Sequence, residues 1–288
     1  MPAQGPLRRG GPMDLSLIET LRWEPGAGFV RLERHLARLA RSAAALGLPG
    51  ADGAREALLA ALPSSEGKTI AYGTIREPPA PSPRRGEGRG SGMRGGRRQN
   101  AAGLPPHPAL RATFSPAGRR GSGDGACTGD TPGAGPAPLR IRLELFTDGR
   151  IDVQTAPFTP IPTGATWRVK IAATRLSSND PLLCHKTSRR AAYAAARAEF
   201  PAAEADEVLL LNERGEICEG TITSLFLDDG SGTLKTPPLS CGLLAGVLRE
   251  ELLQEGRAEE RVLYPQDLAG RPFFLGNSLR GLIPAILL

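Results

Sequence analysis

No run of eighteen or so apolar residues occurs anywhere in this 288-residue chain, so no helix is expected to span a membrane. The opening MPAQGPLRRGGPMDLSL lacks an apolar core of signal-peptide length, which argues against export and for a cytoplasmic protein. The four cysteines (Cys127, Cys184, Cys218 and Cys241) form no CxxC pair and have no histidines at zinc-site spacing. Free thiols in a reducing compartment, and no metal, are the expectation. Lysine is missing between Arg76 and Pro138, where ten arginines face only Glu77, Glu87, Asp124 and Asp130. That stretch carries the whole net charge of +6, so the pI near 9.5 says nothing about the rest of the chain and gives no case for nucleic-acid binding by the folded part.

The same stretch holds 14 of the 36 glycines and 11 of the 27 prolines, with few large apolar side chains. It cannot bury enough surface to offset the entropy of ordering, and residues 78–138 are expected to be a disordered insert. Two parts of it, SPRRGEGRGSG from Ser82 and SPAGRRGSG from Ser115, resemble each other as a translated repetitive element would. An RNA-binding tail built on MRGGRR is the functional alternative, tested by salt-sensitive RNA retention. The flanks, KTIAYGTI before and LRIRLELFTDGRIDVQT after, look like strands. In the second, Ile141, Leu143 and Leu145 alternate with charged residues, and Asp148-Gly149 supplies a hairpin turn. Replacing residues 78–138 by a short Gly-Asn turn is therefore expected to keep fold and activity. It should add about 1–2 kcal/mol of stability, since each halving of a loop returns roughly 0.6 kcal/mol. Loss of folding in the shortened chain would make the segment structural.

Elsewhere SLIETLRWE and FVRL read as strands around the turn PGAG. ERHLARLARSAAALGLPG reads as a helix with Leu36, Leu39, Ala43 and Leu46 on its apolar stripe and Gly47 at its end. His35, Arg38 and Arg41 form a separate row, expected to face solvent. DGAREALLAALPSS gives a second short helix, WRVKIA a strand, and HKTSRRAAYAAARAEF a helix capped by Thr187 or Ser188. Strands with turns at 212–215 and 228–232 follow, then SCGLLAGVLREELLQEG, a loop entering a helix, and FFLGNSLRGLIPAILL. Strands and helices mix without regular alternation. The expected class is α+β in two domains: 14–160, interrupted by the insert, and 161–288.

Three features of the second half fit one another. Lys186 stands where a surface lysine or a covalent-chemistry lysine would both be possible. Glu219 lies in an apolar strand region, costly if buried and ordinary on a wet edge. Gly242 and Gly246 lead into a helix whose free N–H groups suit a phosphate. An amine for an aldehyde, a carboxylate for a pyridinium and a helix start for a phosphate are what pyridoxal phosphate requires.

On these motifs, over residues 14–75 and 139–288, the chain resembles the class IV aminotransferase family, pyridoxal-phosphate enzymes of fold type IV. The resemblance implies a small N-terminal α/β sandwich, a larger cofactor-binding domain and, typically, a homodimer. By motif it makes Lys186 of HKTSRR the catalytic and cofactor-linking residue, Glu219 of EGTITSLF the pyridinium partner, and Arg38 of HLAR a phosphate ligand. Val247 and Leu248 of AGVLR would give phosphate N–H groups and Ser278 of GNSLRG a hydroxyl, while Arg280 and Arg22 are candidates for substrate carboxylates. The chain departs from the family pattern at Ser224 (usually asparagine), Leu248 (often threonine) and Ala191, where branched-chain aminotransferases carry tyrosine. LIETLRWEPGAGFVRLERHLARL and FFLGNSLRGLIPA look most like the 4-amino-4-deoxychorismate lyase branch, especially lyase portions fused to an aminodeoxychorismate synthase. The expected activity is that lyase, yielding 4-aminobenzoate and pyruvate for folate synthesis, with the synthase as a functional partner. A branched-chain or D-amino-acid aminotransferase, and a remnant inactivated by the insert, are the alternatives.

Overall fold

The computed structural model describes residues 15–62 and 137–288, and the insert up to residue 136, with KTIAYGTI, lies outside them. The first strand, β1 (Ser16–Glu24), alternates so that Leu17, Glu19, Leu21 and Trp23 share one face. It pairs antiparallel with the two-residue β2 (Gly28–Phe29), shorter than FVRL promised because Arg31 turns into the left-handed region (φ 59°) to start a helix. That helix is α1 (Leu32–Leu46), ended by Gly47 at φ 69°, and α2 (Ala54–Ala60) follows. β3 (Leu139–Phe146) pairs with β1, and the Asp148-Gly149 turn returns the chain as β4 (Ile151–Pro157). The result is a four-stranded antiparallel sheet, β2-β1-β3-β4. Its core packs Leu17, Leu21, Ile141, Leu143 and Leu145 against Leu39 and Ala43 of α1 and Leu58 of α2.

The second sheet begins after residue 160 with β5 (Trp167–Leu176). α3 (Ala191–Ala198) leads to β6 (Glu207–Asn212), β7 (Ile217–Gly220), β8 (Ser224–Leu227) and β9 (Leu234–Thr236). α4 (Val247–Gln254), β10 (Ala258–Glu260), β11 (Phe273–Asn277) and β12 (Gly281–Leu287) complete the described chain. The order is β10-β9-β8-β11-β12-β5-β6-β7. β5 runs parallel to both β6 and β12, whereas β11 is antiparallel to β8 and β12. The strands β6, β7 and β8 are buried at every residue, because apolar clusters cover both faces. One contains Val169, Leu209, Ile217 and Leu275; the other packs Tyr193 and Ala196 of α3 on Val208 and Leu210. The class is α+β, and no described helix is long and apolar enough to cross a membrane.

One helix start differs from expectation. HKTSRR is not helical: α3 begins at Ala191 with Arg190 at its N-cap position, and neither Thr187 nor Ser188 caps it. Residues 186–188 instead lie alongside β1, where Lys186 O accepts from Ile18 N–H at 2.8 Å and Ser188 N–H donates to Ser16 O at 2.9 Å. Strand pairing to a distant segment overrides the local helix preference of the alanines that follow.

Candidate active site

The seam between that segment, α1, α4, β7 and the β11–β12 turn encloses a cavity of about 490 Å³. Lys186 projects there, and its backbone is fixed by β1, including the isolated bridge between Leu17 and Thr187. Burial, and then the guanidinium groups of Arg38 and Arg190, hold its amine down to about 8, although Glu19 and Glu219 pull the other way. A substantial fraction of the amine is neutral near pH 8, which is what a nucleophile or a general base needs.

Glu219, on the last strand of the sheet, is buried rather than wet. Its Oε1 accepts the Tyr193 hydroxyl at 2.6 Å and the Leu244 N–H at 3.0 Å, leaving Oε2 for a donor in the cavity. Burial pushes the carboxyl up to about 7 against those two hydrogen bonds and the nearby cations. A cationic N–H donor against Oε2 would restore its charge. Tyr193 was not singled out from sequence; burial and Glu219 push its phenol well up, so it stays a donor.

α4 opens on the cavity without a side-chain cap. Its first intrahelical bond is Glu250 N–H to Gly246 O at 2.8 Å, so the N–H groups of Val247 and Leu248 have no acceptor within the helix. Gly246 packs closely here: a Cβ would meet Ser224 Oγ at 2.8 Å, and that hydroxyl would have to turn away.

His35 and Arg38 do not face solvent as expected; both are buried. Arg38 grips Glu19 through Nε (2.8 Å) and Nη2 (2.6 Å) and donates from Nη1 to Ala245 O at 3.1 Å. Three of its five N–H groups are thus committed and two remain. His35 Nδ1 lies 2.6 Å from Glu19 Oε2, and its Nε2 lies 2.8 Å from Ser278 Oγ. Glu19 went unremarked in the sequence, yet it was visible as a carboxylate in phase with Leu17, Leu21 and Trp23. Burial alone would raise its pKa, but Arg38 and His35 outweigh that and lower it to about 2. The stability it contributes is complete above its ordinary 4.5 and lost as pH falls toward 2. That difference is on the order of 3 kcal/mol. Urea unfolding at pH 6 and pH 3 should show about 2 kcal/mol of this loss in the native chain and a much smaller one in Glu19→Gln; equal losses would place the acid-sensitive group elsewhere.

Arg280 lines the same cavity, together with Arg140, Arg175, Arg189 and Arg190. Arg22 does not: it lies in an adjoining cleft beside Phe158, donates to Leu279 O at 3.4 Å and pairs with Glu24 at 3.1 Å.

Glu207 is a further residue that sequence reading missed. Buried, it accepts from Thr221 N–H (3.1 Å), Thr221 Oγ1 (2.5 Å), Ile222 N–H (3.1 Å) and Thr223 Oγ1 (3.1 Å), fixing the loop after Glu219. The Thr221 carbonyl in turn accepts Arg190. Glu207→Ala leaves these donors without an acceptor. It should cost about 4 kcal/mol and about 10 °C in Tm. An unchanged Tm would mean the loop holds itself.

Among the described residues no group of histidines, cysteines or carboxylates is arranged to hold a metal ion, and Cys184, Cys218 and Cys241 are free thiols. A family model described as "Amino-transferase class IV" matches residues 131–287, more than half of the chain. The chain belongs to the class IV aminotransferase family. Members of this family depend on pyridoxal phosphate. A solved structure from Mesorhizobium loti, named "Putative amino-acid aminotransferase", shares 38% identity with a TM-score of 0.67, over 96% of this chain and 100% of that one. A "Putative aminodeoxychorismate lyase" of Schizosaccharomyces pombe is 29% identical over 155 residues, covering 52% of this chain and 67% of its own. A "Probable branched-chain-amino-acid aminotransferase" of Thermotoga maritima is 31% identical over 158 residues, 51% of this chain and 55% of its own, so the match spans about half of that relative.

Proposed function

We propose that this protein is a pyridoxal-phosphate-dependent 4-amino-4-deoxychorismate lyase, releasing 4-aminobenzoate and pyruvate for folate synthesis. The residues of the cavity fit the cofactor. Lys186 would take its aldehyde, Oε2 of Glu219 its ring nitrogen, and the Val247 and Leu248 N–H groups, the two remaining N–H groups of Arg38 and the Ser278 hydroxyl its phosphate. Bound there, pyridoxal phosphate supplies a ring that draws electrons from the carbon bearing the substrate amine. Lys186 removes the proton from that carbon, for which its lowered pKa suits it. Loss of the enolpyruvyl group then leaves an aromatic product.

The observation favouring the lyase is the cationic wall. Arg140, Arg175, Arg189, Arg190 and Arg280 line the cavity beyond what a phosphate needs, against Asp180 and Glu219 alone among its acids. A substrate with two carboxylates suits such a wall, and a branched apolar side chain does not. Ala191, in place of the tyrosine of branched-chain aminotransferases, agrees with this. Incubating the purified protein with aminodeoxychorismate should release 4-aminobenzoate. A 2-oxo acid formed stoichiometrically from a branched-chain or D-amino acid donor, without 4-aminobenzoate, would establish the transaminase reading that the Mesorhizobium relative favours. A colourless full-length protein whose 78–138 deletion turns yellow with cofactor would establish the inactivated remnant. The two sheets serve as two domains, the enzyme works as a homodimer, and an aminodeoxychorismate synthase supplies its substrate. Light scattering tests the dimer.

A further inference from the structure

Donor and acceptor counting along the buried row Glu19–His35–Ser278 leads to a property of the phosphate end of the cavity. Glu19 is ionised and can only accept, so the short contact at 2.6 Å requires a proton on His35 Nδ1. Burial first, then Arg38 and Lys186, lower the His35 pKa, against the pull of Glu19. The ring is therefore neutral with a single proton, already placed on Nδ1. Nε2 is then a bare lone pair, and at 2.8 Å it must receive the Ser278 hydroxyl proton. A serine hydroxyl has one proton to give. In this state Ser278 has nothing to donate to an anion, although it borders the cavity where α4 opens.

We propose that His35 is a positioning residue that takes up one proton when a tetrahedral dianion enters, turning the Ser278 hydroxyl from His35 toward the anion. With Nε2 protonated, the ring donates to Ser278 Oγ, and the released hydroxyl proton points to the ligand. The proton comes from solvent; no bond other than N–H forms. Charge favours this, because the groups facing His35 are Glu19 on β1, Arg38 one turn along α1, Lys186 on the segment beside β1 and Ser278 on the β11–β12 turn. The Arg38–Glu19 pair is already neutral in sum, so an entering dianion adds negative charge beside the ring, which a second proton on His35 offsets locally. The phosphate of the cofactor is the anion meant; the inference rests on the cofactor reading above in that respect alone.

The test uses the full chain freed of cofactor, labelled with ¹⁵N-histidine, of which it has only three residues. Sulfate is the probe, since it stays a dianion at every pH used. Without it at pH 7.5, His35 should show a protonated Nδ1 and an unprotonated Nε2. With saturating sulfate, and equally with pyridoxal phosphate, both nitrogens should be protonated, and the midpoint of the ring should rise by more than one pH unit. In Ser278→Ala the rise should shrink and sulfate should bind at least tenfold more weakly. Ser278→Thr, which keeps the hydroxyl, should restore both. A ring that stays neutral with the anion bound overturns the proposal, as does an undiminished rise in Ser278→Ala. If sulfate charges His35 while pyridoxal phosphate neither binds nor colours the protein, the cofactor reading fails and this one stands.

Discussion

Lys186→Ala should abolish turnover while leaving a folded protein. The side chain lines the cavity and makes no ion pair among the described residues, so its removal leaves no partner charge unpaired. What disappears is the amine that the proposed reading assigns to the cofactor aldehyde and to the substrate proton. General-base removal alone costs about 10²–10⁴-fold, and loss of covalent attachment adds to it. The other described lysines are committed elsewhere: Lys170 to Glu204 at 2.6 Å and Lys235 to Glu259 at 2.5 Å. Borohydride should therefore fix the cofactor to the peptide holding Lys186, seen by mass spectrometry. Label on Lys170 or Lys235, or normal turnover in the variant, would end the assignment.

Glu219→Gln should bind cofactor and slow turnover by about 10²–10³-fold, the usual size of losing one preorganised electrostatic contact. An amide of the same shape can still accept from Tyr193 and Leu244, so the wall of the cavity is kept. It carries no negative charge to hold a ring nitrogen protonated. The isolated carboxyl, pushed up to about 7 by burial, also implies a signature in the cofactor-free protein. Its folded value lies above the ordinary 4.5, so its favourable contribution to stability is complete below 4.5 and lost as pH rises through 7. Glu219→Gln should remove that loss. Near-normal turnover, with an unchanged pH profile of stability, would mean the carboxylate faces something other than the cofactor.

Sequence reading did well wherever the deciding signal was local. β1, β3 and the Asp148-Gly149 turn followed from alternation and a glycine at φ 85°. Lys186, Glu219 and the opening of α4 were found as a set because each has a motif around it. The failures share a physical cause, namely contacts between residues far apart in the chain. The row His35, Arg38 and Arg41 looked like a wet face because helical spacing does not reveal that Glu19 and Ser278 converge on two of its members. Helix propensity started at Thr187 or Ser188 a helix that begins only at Ala191, since nothing nearby shows that β1 pairs with this segment. Glu207 was passed over for the same reason: its partners come fourteen to sixteen residues later, on a loop it organises.

The pairing of Lys186 with β1 also bears on the order in which the chain can acquire its site. The family match starts at residue 131, but the strand that holds the lysine backbone lies at residues 16–24. Contacts this remote form late, because loop closure must be met before they return anything. During refolding of a Trp23→Phe variant, the fluorescence of Trp167 on β5 should recover before the protein can be trapped by borohydride. A fragment comprising only residues 131–288 would carry Lys186, Glu219 and α4, yet lack Glu19, Arg38 and the strand beside the lysine. Adding back a peptide of residues 14–62 should restore what the fragment lacks, so two separate pieces of this chain would complement each other as one catalyst.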